Sequence, residues 1–198
     1  NNHWPPQLSE NRFERFKRFM SSQPQGGLPE ERLLSFQPPV AAAPHRELCV
    51  SSVDYRALLI EERRQDHKMS TLIEACVAGD YTLLFDVGAN YGEFVASAIG
   101  SVPSVVAVEA NPIVARCLKQ SFEGEAGVRV LAHAVSDQEA SLTMRINPQY
   151  SGGNRLVTGE SAPTPYFLEG CVFTLDVPCR RLSDVMREER GEHKRVAM

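Results

Sequence analysis

Leu83-Leu84-Phe85-Asp86-Val87-Gly88-Ala89-Asn90-Tyr91-Gly92-Glu93-Phe94 is the stretch on which the fold turns. An apolar run ends in an acid, two glycines follow four residues apart, and an amphipathic segment begins. This is the pattern of a buried strand, a tight loop and a helix start, the layout of a nucleotide-type binding loop. Asp86 lies two residues before the first glycine, where it would repel a pyrophosphate and attract a cationic amino group.

Outward from the loop, the pattern repeats. Val105, Val106, Ala107 and Val108 form an unalternating apolar run within an expected strand at 104–109, which suits a parallel strand covered on both faces. Asn111-Pro112 opens a helix, with proline fitted to its first turn. Ile113, Val114, Cys117, Leu118 and Phe122 supply the apolar positions of that helix. A third strand is expected at 128–135. Residues 140–146 alternate and read as an antiparallel or edge strand. Residues 148–170 read as a long loop, a length that is often functional. A strand is expected at 171–177, a charged helix at 181–190, and a further strand beginning near Val196. Alternating strands and helices after residue 80 give an α/β sandwich around a mostly parallel, Rossmann-like sheet.

The N-terminal part reads differently. Phe13, Phe16, Phe19 and Met20 fall on a helical spacing behind Ser9, a suitable N-cap. Pro24, Gly26, Gly27, Pro29, Pro38, Pro39 and Pro44 then read as linker chemistry. Residues 1–50 are therefore expected to be a helical appendage and linker, and residues 51–198 the binding domain. Residues 53–78 read as one helix or two, with the polar stretch 61–68 a solvated face or a break. Met69, Leu72, Ile73, Cys76 and Val77 lie on its apolar face, and Gly79-Asp80 ends it.

Composition narrows the function. A net charge of −4 gives no electrostatic footprint for nucleic acid. No apolar run approaches the roughly 18 to 20 residues that span a bilayer, and no signal peptide is visible. Cys49, Cys76, Cys117, Cys171 and Cys179 are scattered and lack C-x-x-C spacing, which argues against a disulfide framework and a zinc site and for reduced thiols in a cytoplasm. His67 and His133 have no partner spacing. The chain opens at Asn1 rather than Met, and Arg195-Val196-Ala197-Met198 reads as a strand just begun, so the sheet is expected to be incomplete at its C-terminal side.

Ligands of open α/β sheets sit outside the carboxyl ends of the strands. The first strand end brings Asp86, Gly88, Asn90 and Gly92, and the second brings Glu109. An acid closing the second strand can accept both hydroxyls of a ribose. Ser136 or Asp137, after the third strand, can meet an adenine amine, though Ser136-Asp137-Gln138 also reads as a plain turn, the stronger reading for Asp137. A cation-bearing, phosphate-free nucleoside fits these groups, and S-adenosylmethionine is such a ligand. Its amino group is expected on Asp86 and its carboxylate on the amides of residues 90–92. A dinucleotide-dependent oxidoreductase is the rival enzyme, but its G-x-G-x-x-G is one glycine short here. A non-catalytic scaffold module is the alternative from another class.

The same residues resemble a known family. Phe85-Asp86-Val87-Gly88-Ala89-Asn90-Tyr91-Gly92 followed by Val108-Glu109-Ala110-Asn111-Pro112 resembles the FkbM family of methyltransferases, as does Ala134-Val135-Ser136-Asp137. Ser151-Gly152-Gly153-Asn154 and residues 177–184 are more loosely similar to its later segments. The resemblance covers roughly residues 81–198. Ala132 and His133 stand where the family often has a polar residue. The resemblance implies a class I methyltransferase that uses S-adenosylmethionine and makes O-methyl ethers on sugar-like or natural-product hydroxyls, of a small molecule or a glycan. It implies a cofactor set of Asp86, Gly88, Ala89, Asn90, Tyr91, Gly92, Glu109, Ala110, Asn111, Ser136 and Asp137. No general base is assigned; Tyr91 and the segment 150–154 can touch an acceptor but read first as packing or lid residues.

Overall fold

The computed structural model describes residues 18–19, 30–157, 172–192 and 195–198. Its centre is a four-stranded parallel sheet built on the quoted stretch. Strand β3 (Leu83–Val87) pairs with β4 (Ser104–Val108), β4 with β5 (Val128–Leu131), and β10 (Val196–Ala197) with the other edge of β3. The spatial order is β10-β3-β4-β5. The chain steps outward from β3 in one direction and returns on its other side, so a topological switch point lies beside β3.

Both faces of this sheet are covered, which explains the unalternating runs. Leu84, Val105 and Ala107 join one core with residues of α3 (Glu93–Ala98) and α4 (Pro112–Ser121). Leu83, Phe85, Val106 and Val108 pack on Val185 and Met186 of α5 (Leu182–Arg190) on the other. Burying such a side chain fully contributes roughly 1.5–3 kcal/mol. Asn111 caps α4 with its side-chain oxygen on the Ile113 amide at 3.0 Å, and Pro112 follows in the first turn as the sequence predicts.

The N-terminal boundary needs correction. Residues 31–51 are no linker. Strands β1 (Glu31–Phe36) and β2 (Arg46–Ser51) form an antiparallel hairpin, and Pro38, Pro39 and Pro44 belong to its turn. Leu34, Phe36, Leu48, Cys49 and Val50 enter the same core as Ile73, Val95, Cys117 and Leu118. The Cys49 amide donates to Ser121 Oγ at 2.8 Å, tying β2 to α4. The proline and glycine signal marks a turn, and burial shows on which side of the boundary the turn belongs. The expected Phe-rich helix lies outside the described residues except at its end, where the Phe19 ring stands 5.5 Å from that of Tyr55.

The segment 53–78 is two helices, α1 (Tyr55–Glu61) and α2 (Asp66–Ala78), broken within the polar stretch where Arg63 takes φ 56°. Only Met69, Ile73 and Cys76 of α2 are buried. Leu72 and Val77 are 43% and 51% exposed, because the buried strip is one residue wide at each turn. Asp80, not Gly79, carries the positive φ that ends the helix.

The expected third strand splits. At Leu131 its partner β4 has ended, and after Ala132-His133 the chain re-forms as β6 (Ala134–Ser136) in a second sheet. That sheet has the order β6-β9-β7-β8, with β7 at Ala140–Ile146, β8 at Arg155–Leu156 and β9 at Phe173–Arg181. Strand β7 is antiparallel, as its alternation predicts. Strand β9 starts two residues later and ends four residues later than the sequence suggests, because β6 and β7 both pair with its C-terminal half. Residues 158–171 lie outside the described part. Among the described residues no helix is long and apolar enough to cross a membrane. The four described cysteines, Cys49, Cys76, Cys117 and Cys179, are free and buried.

Candidate functional site

A cleft of about 350 Å³ opens at the carboxyl ends of β3 and β4. Val87, Gly88 and Asn90 line one side, Glu109 and Ala110 the floor, and His133, Ala134 and Val135 the far side. Ser151, Gly152, Asn154, Arg155 and Leu156 form a further wall, which meets the glycine loop where Asn90 Nδ2 donates to Ser151 Oγ. Its volume lies toward the lower end of small-molecule sites.

Asp86 and Glu109 face the same side of the sheet, since Asp86 pairs in register with Ala107, two residues before Glu109. One oxygen of Asp86, Oδ2, is shut from solvent with no hydrogen-bond partner. Burial, then the nearby Glu109 carboxylate, pushes the Asp86 carboxyl up to about 7. Burial also pushes Glu109 up, opposed by backbone N–H groups that favour its charged form. Those donors are concrete: the Asn111 amide reaches Oε1 at 2.8 Å and the Asn90 amide reaches Oε2 at 2.9 Å. The Ala110 amide is a further backbone donor to this carboxylate, which leaves it some acceptor capacity for a ligand.

The loop between them is held from within. The Gly88 and Ala89 amides donate to Val108 O at 2.8 and 3.0 Å, the Tyr91 amide to Asn90 Oδ1 at 3.0 Å, and the Gly92 amide to Ala89 O at 2.9 Å. With the Asn90 amide on Glu109, every amide from Gly88 to Gly92 has a protein partner. Helix α3 has six residues and offers no anion site of its own. The expected seat for a carboxylate on residues 90–92 is therefore not formed.

The two glycines have different duties. Gly88 takes φ 80° with open space where a Cβ would stand. Gly92 takes φ 86°, and a Cβ there would come within 2.4 Å of Phe122 and 2.6 Å of Leu118, both buried. Gly92 serves close packing on α4 rather than approach to a ligand. Gly92→Ala is expected to cost about 2–4 kcal/mol through strain and overpacking together. Gly88→Ala is expected to cost about 1–2 kcal/mol through strain alone. Urea denaturation of both variants compares them, and equal losses would refute the division.

Asp86 does not itself line the cleft; it sits one residue behind the lining Val87, with its carboxyl beside that of Glu109. Other expected residues are placed farther from it or turned away. Tyr91 is 1% exposed and donates its hydroxyl to Asp54 Oδ2 at 2.6 Å, so it cannot meet an acceptor. Ala89 is buried, and Asn111 is spent on capping α4. Ser136 Oγ donates to exposed Asp137 at 2.9 Å, and neither residue lines the cleft. Ser136 ends β6 and Asp137 follows it in a bend, both carried away by the kink that starts β6.

His133 and Asp54 carry no sequence signal pointing to the site, and Asn154 is marked only as part of the segment 150–154. His133 lines the cleft, with Nδ1 2.9 Å from Ala134 O and with Nε2 buried and unpartnered. Asn154 lines it with Nδ2 buried and unpartnered. Asp54, 1% exposed, caps α1 through the Arg56 amide at 2.8 Å and also accepts from the Ser151 amide at 3.1 Å. Its carboxyl is pushed up by burial, with the hydrogen bonds opposing. Nearby, Arg56 forms an ion pair with the largely buried Glu93. Among the described residues no group of three or more His, Cys, Asp or Glu side chains is placed to hold a metal ion. No match is found for this chain among protein-family models, curated proteins or solved structures.

Proposed function

We propose that this chain binds S-adenosylmethionine and transfers its methyl group to a hydroxyl acceptor. The observation that carries the reading is the unpartnered Oδ2 of Asp86 at the end of the central strand, beside a second buried carboxylate. A buried carboxylate without a donor is costly unless something cationic meets it. A phosphate would make that cost worse, which counts against a dinucleotide. The motifs around Asp86 and Glu109 support the same family resemblance, and a hydroxyl on a sugar-like or natural-product acceptor follows from that resemblance.

Within this reading Asp86 holds the amino group and Glu109 offers its remaining lone pairs to the ribose. His133 replaces Ser136 and Asp137 at the polar edge of the adenine. Gly88 lets the backbone lie close to the ligand. The bound cofactor would supply an electrophilic methyl on a sulfonium centre. The chain's part is to align the acceptor oxygen and to exclude water, and positioning of this kind can supply on the order of 7–11 kcal/mol.

Calorimetric titration with S-adenosylmethionine and NADH in parallel tests the reading. Binding of the first and not the second is expected. Glu109→Gln is expected to weaken binding by about one to two orders of magnitude, the loss of a charged hydrogen bond. Preference for NADH, or unchanged affinity in Glu109→Gln, would sink it. A methyl-transfer assay on hydroxylated small molecules and glycans separates an enzyme from a binding module without turnover.

A further inference from the structure

The amino and carboxylate groups of an α-amino acid sit on one carbon, so a site that holds both must present an anion and a donor set side by side. Asp86 is the anion. The glycine loop supplies no donors, because each amide from Gly88 to Gly92 already has a protein acceptor. The donors must come from elsewhere around the cleft beside which Asp86 sits, next to the lining Val87 and Glu109.

The wall formed by residues 151–156 is built for it. Asn90 Nδ2 donates to Ser151 Oγ at 3.0 Å, and Asp54 accepts the Ser151 amide at 3.1 Å, which presses this turn against the glycine loop. The Asn147 amide donates to Asn154 Oδ1 at 2.7 Å. That bond fixes the orientation of the Asn154 amide and leaves its Nδ2 with two hydrogens and no acceptor, shut from bulk water. Arg155, next in sequence, lines the same cleft and brings a permanent positive charge with a planar fork suited to carboxylates. The neighbouring β7–β8 pairing, Arg145 to Arg155 and Met144 to Leu156, sets the backbone that carries both residues.

We propose that Asn154 Nδ2 and Arg155 receive the carboxylate of an amino-acid head whose amino group lies on Asp86. The assignment rests on the S-adenosylmethionine reading and adds to it a carboxylate seat on the 151–156 wall in place of the glycine loop. The unpartnered donor at Asn154 and the unpartnered acceptor at Asp86 then satisfy one zwitterion between them.

The test uses two ligands, S-adenosylmethionine and its decarboxylated form, which keeps the amino group and the sulfonium. Both are titrated into the parent chain, Asn154→Asp and Arg155→Gln. Asn154→Asp keeps the acceptor for the Asn147 amide and replaces the donor by a repelling oxygen. The parent is expected to prefer the carboxylated ligand by about tenfold to a hundredfold, as for a charged hydrogen bond. Both variants are expected to lose that preference while binding the decarboxylated ligand within about threefold of the parent, well inside one such bond. Equal weakening toward both ligands would make the wall merely structural, and parental affinity for S-adenosylmethionine in both variants would place the carboxylate elsewhere. A parent that binds the two ligands equally overturns the carboxylate seat alone. A parent that binds neither overturns the S-adenosylmethionine reading and the seat together.

Discussion

Asp86→Asn is expected to weaken S-adenosylmethionine binding by at least two orders of magnitude and, at pH 8, to stabilise the unliganded fold. The two effects share one cause. Asp86 ends a central strand with Oδ2 buried and unpartnered, next to Glu109. The amide keeps the shape and removes the charge. A cationic ligand loses its counter-ion, and the empty fold loses a buried repulsion. A variant that binds as tightly as the parent, or is less stable at pH 8, would contradict this account of the site.

The pH dependence follows from the sign of the shift. The carboxyl titrates near 3.8 when unfolded and at about 7 in the fold. Between those values the folded chain holds a proton that the unfolded chain has released. The contribution of this group to stability is therefore fully present below about pH 4 and is lost as the pH rises through about 7, by on the order of 4 kcal/mol. The Asn variant should lack that fall, which urea melts at pH 5 and pH 8 would show. Ligand affinity runs the other way. Below pH 7 an ammonium must displace the proton, so affinity rises with pH up to about 7. It falls again near pH 8, where an α-amino group loses its own charge. Calorimetry in buffers of different ionisation enthalpy should detect proton release at pH 6, and a flat profile from pH 5 to 7 would remove Asp86 from the binding step.

What the sequence discloses here is local. The strand, the glycine loop, the acid at Glu109 and the Asn111-Pro112 helix start all follow from spacing within about 30 residues, and the structure places them together. The misreadings come where a distant partner decides. Pro38, Pro39 and Pro44 look alike in a linker and in a hairpin turn; only the packing of β2 on α4 separates the two. Ser136 and Asp137 follow a strand that, by its apolar pattern, runs unbroken to Val135, yet β4 ends early and the chain turns into another sheet. Gly92 reads as a ligand glycine until Phe122 and Leu118 are set against it. His133 is a single polar residue with no periodicity, visible only as an unpartnered atom at a cleft, and the segment 150–154 points to the cleft without singling out the unpartnered amide of Asn154.

Asp54 shows the same dependence at its strongest, and its removal should be the most damaging single change in this part of the fold. Its carboxylate joins segments 37 and 97 residues away, taking the Tyr91 hydroxyl at 2.6 Å and the Ser151 amide at 3.1 Å while capping α1. Asp54→Ala takes this acceptor from two buried donors, the Tyr91 hydroxyl and the Ser151 amide, and from the part-buried Arg56 amide. The expected cost is about 3–5 kcal/mol, which for a chain of this size lowers Tm by roughly 6–20 °C. Tyr91→Phe removes one donor and leaves Asp54 two others, so its cost should be nearer 1–2 kcal/mol. The double variant should cost clearly less than the sum, because the Tyr91 hydroxyl can be orphaned only once. Strict additivity in thermal or urea melts would mean that the two side chains do not act as a pair. The same cycle read by ligand affinity should show Asp54→Ala loosening the cleft at two of its walls, since Asp54 holds the glycine loop through Tyr91 and the 151–156 wall through Ser151.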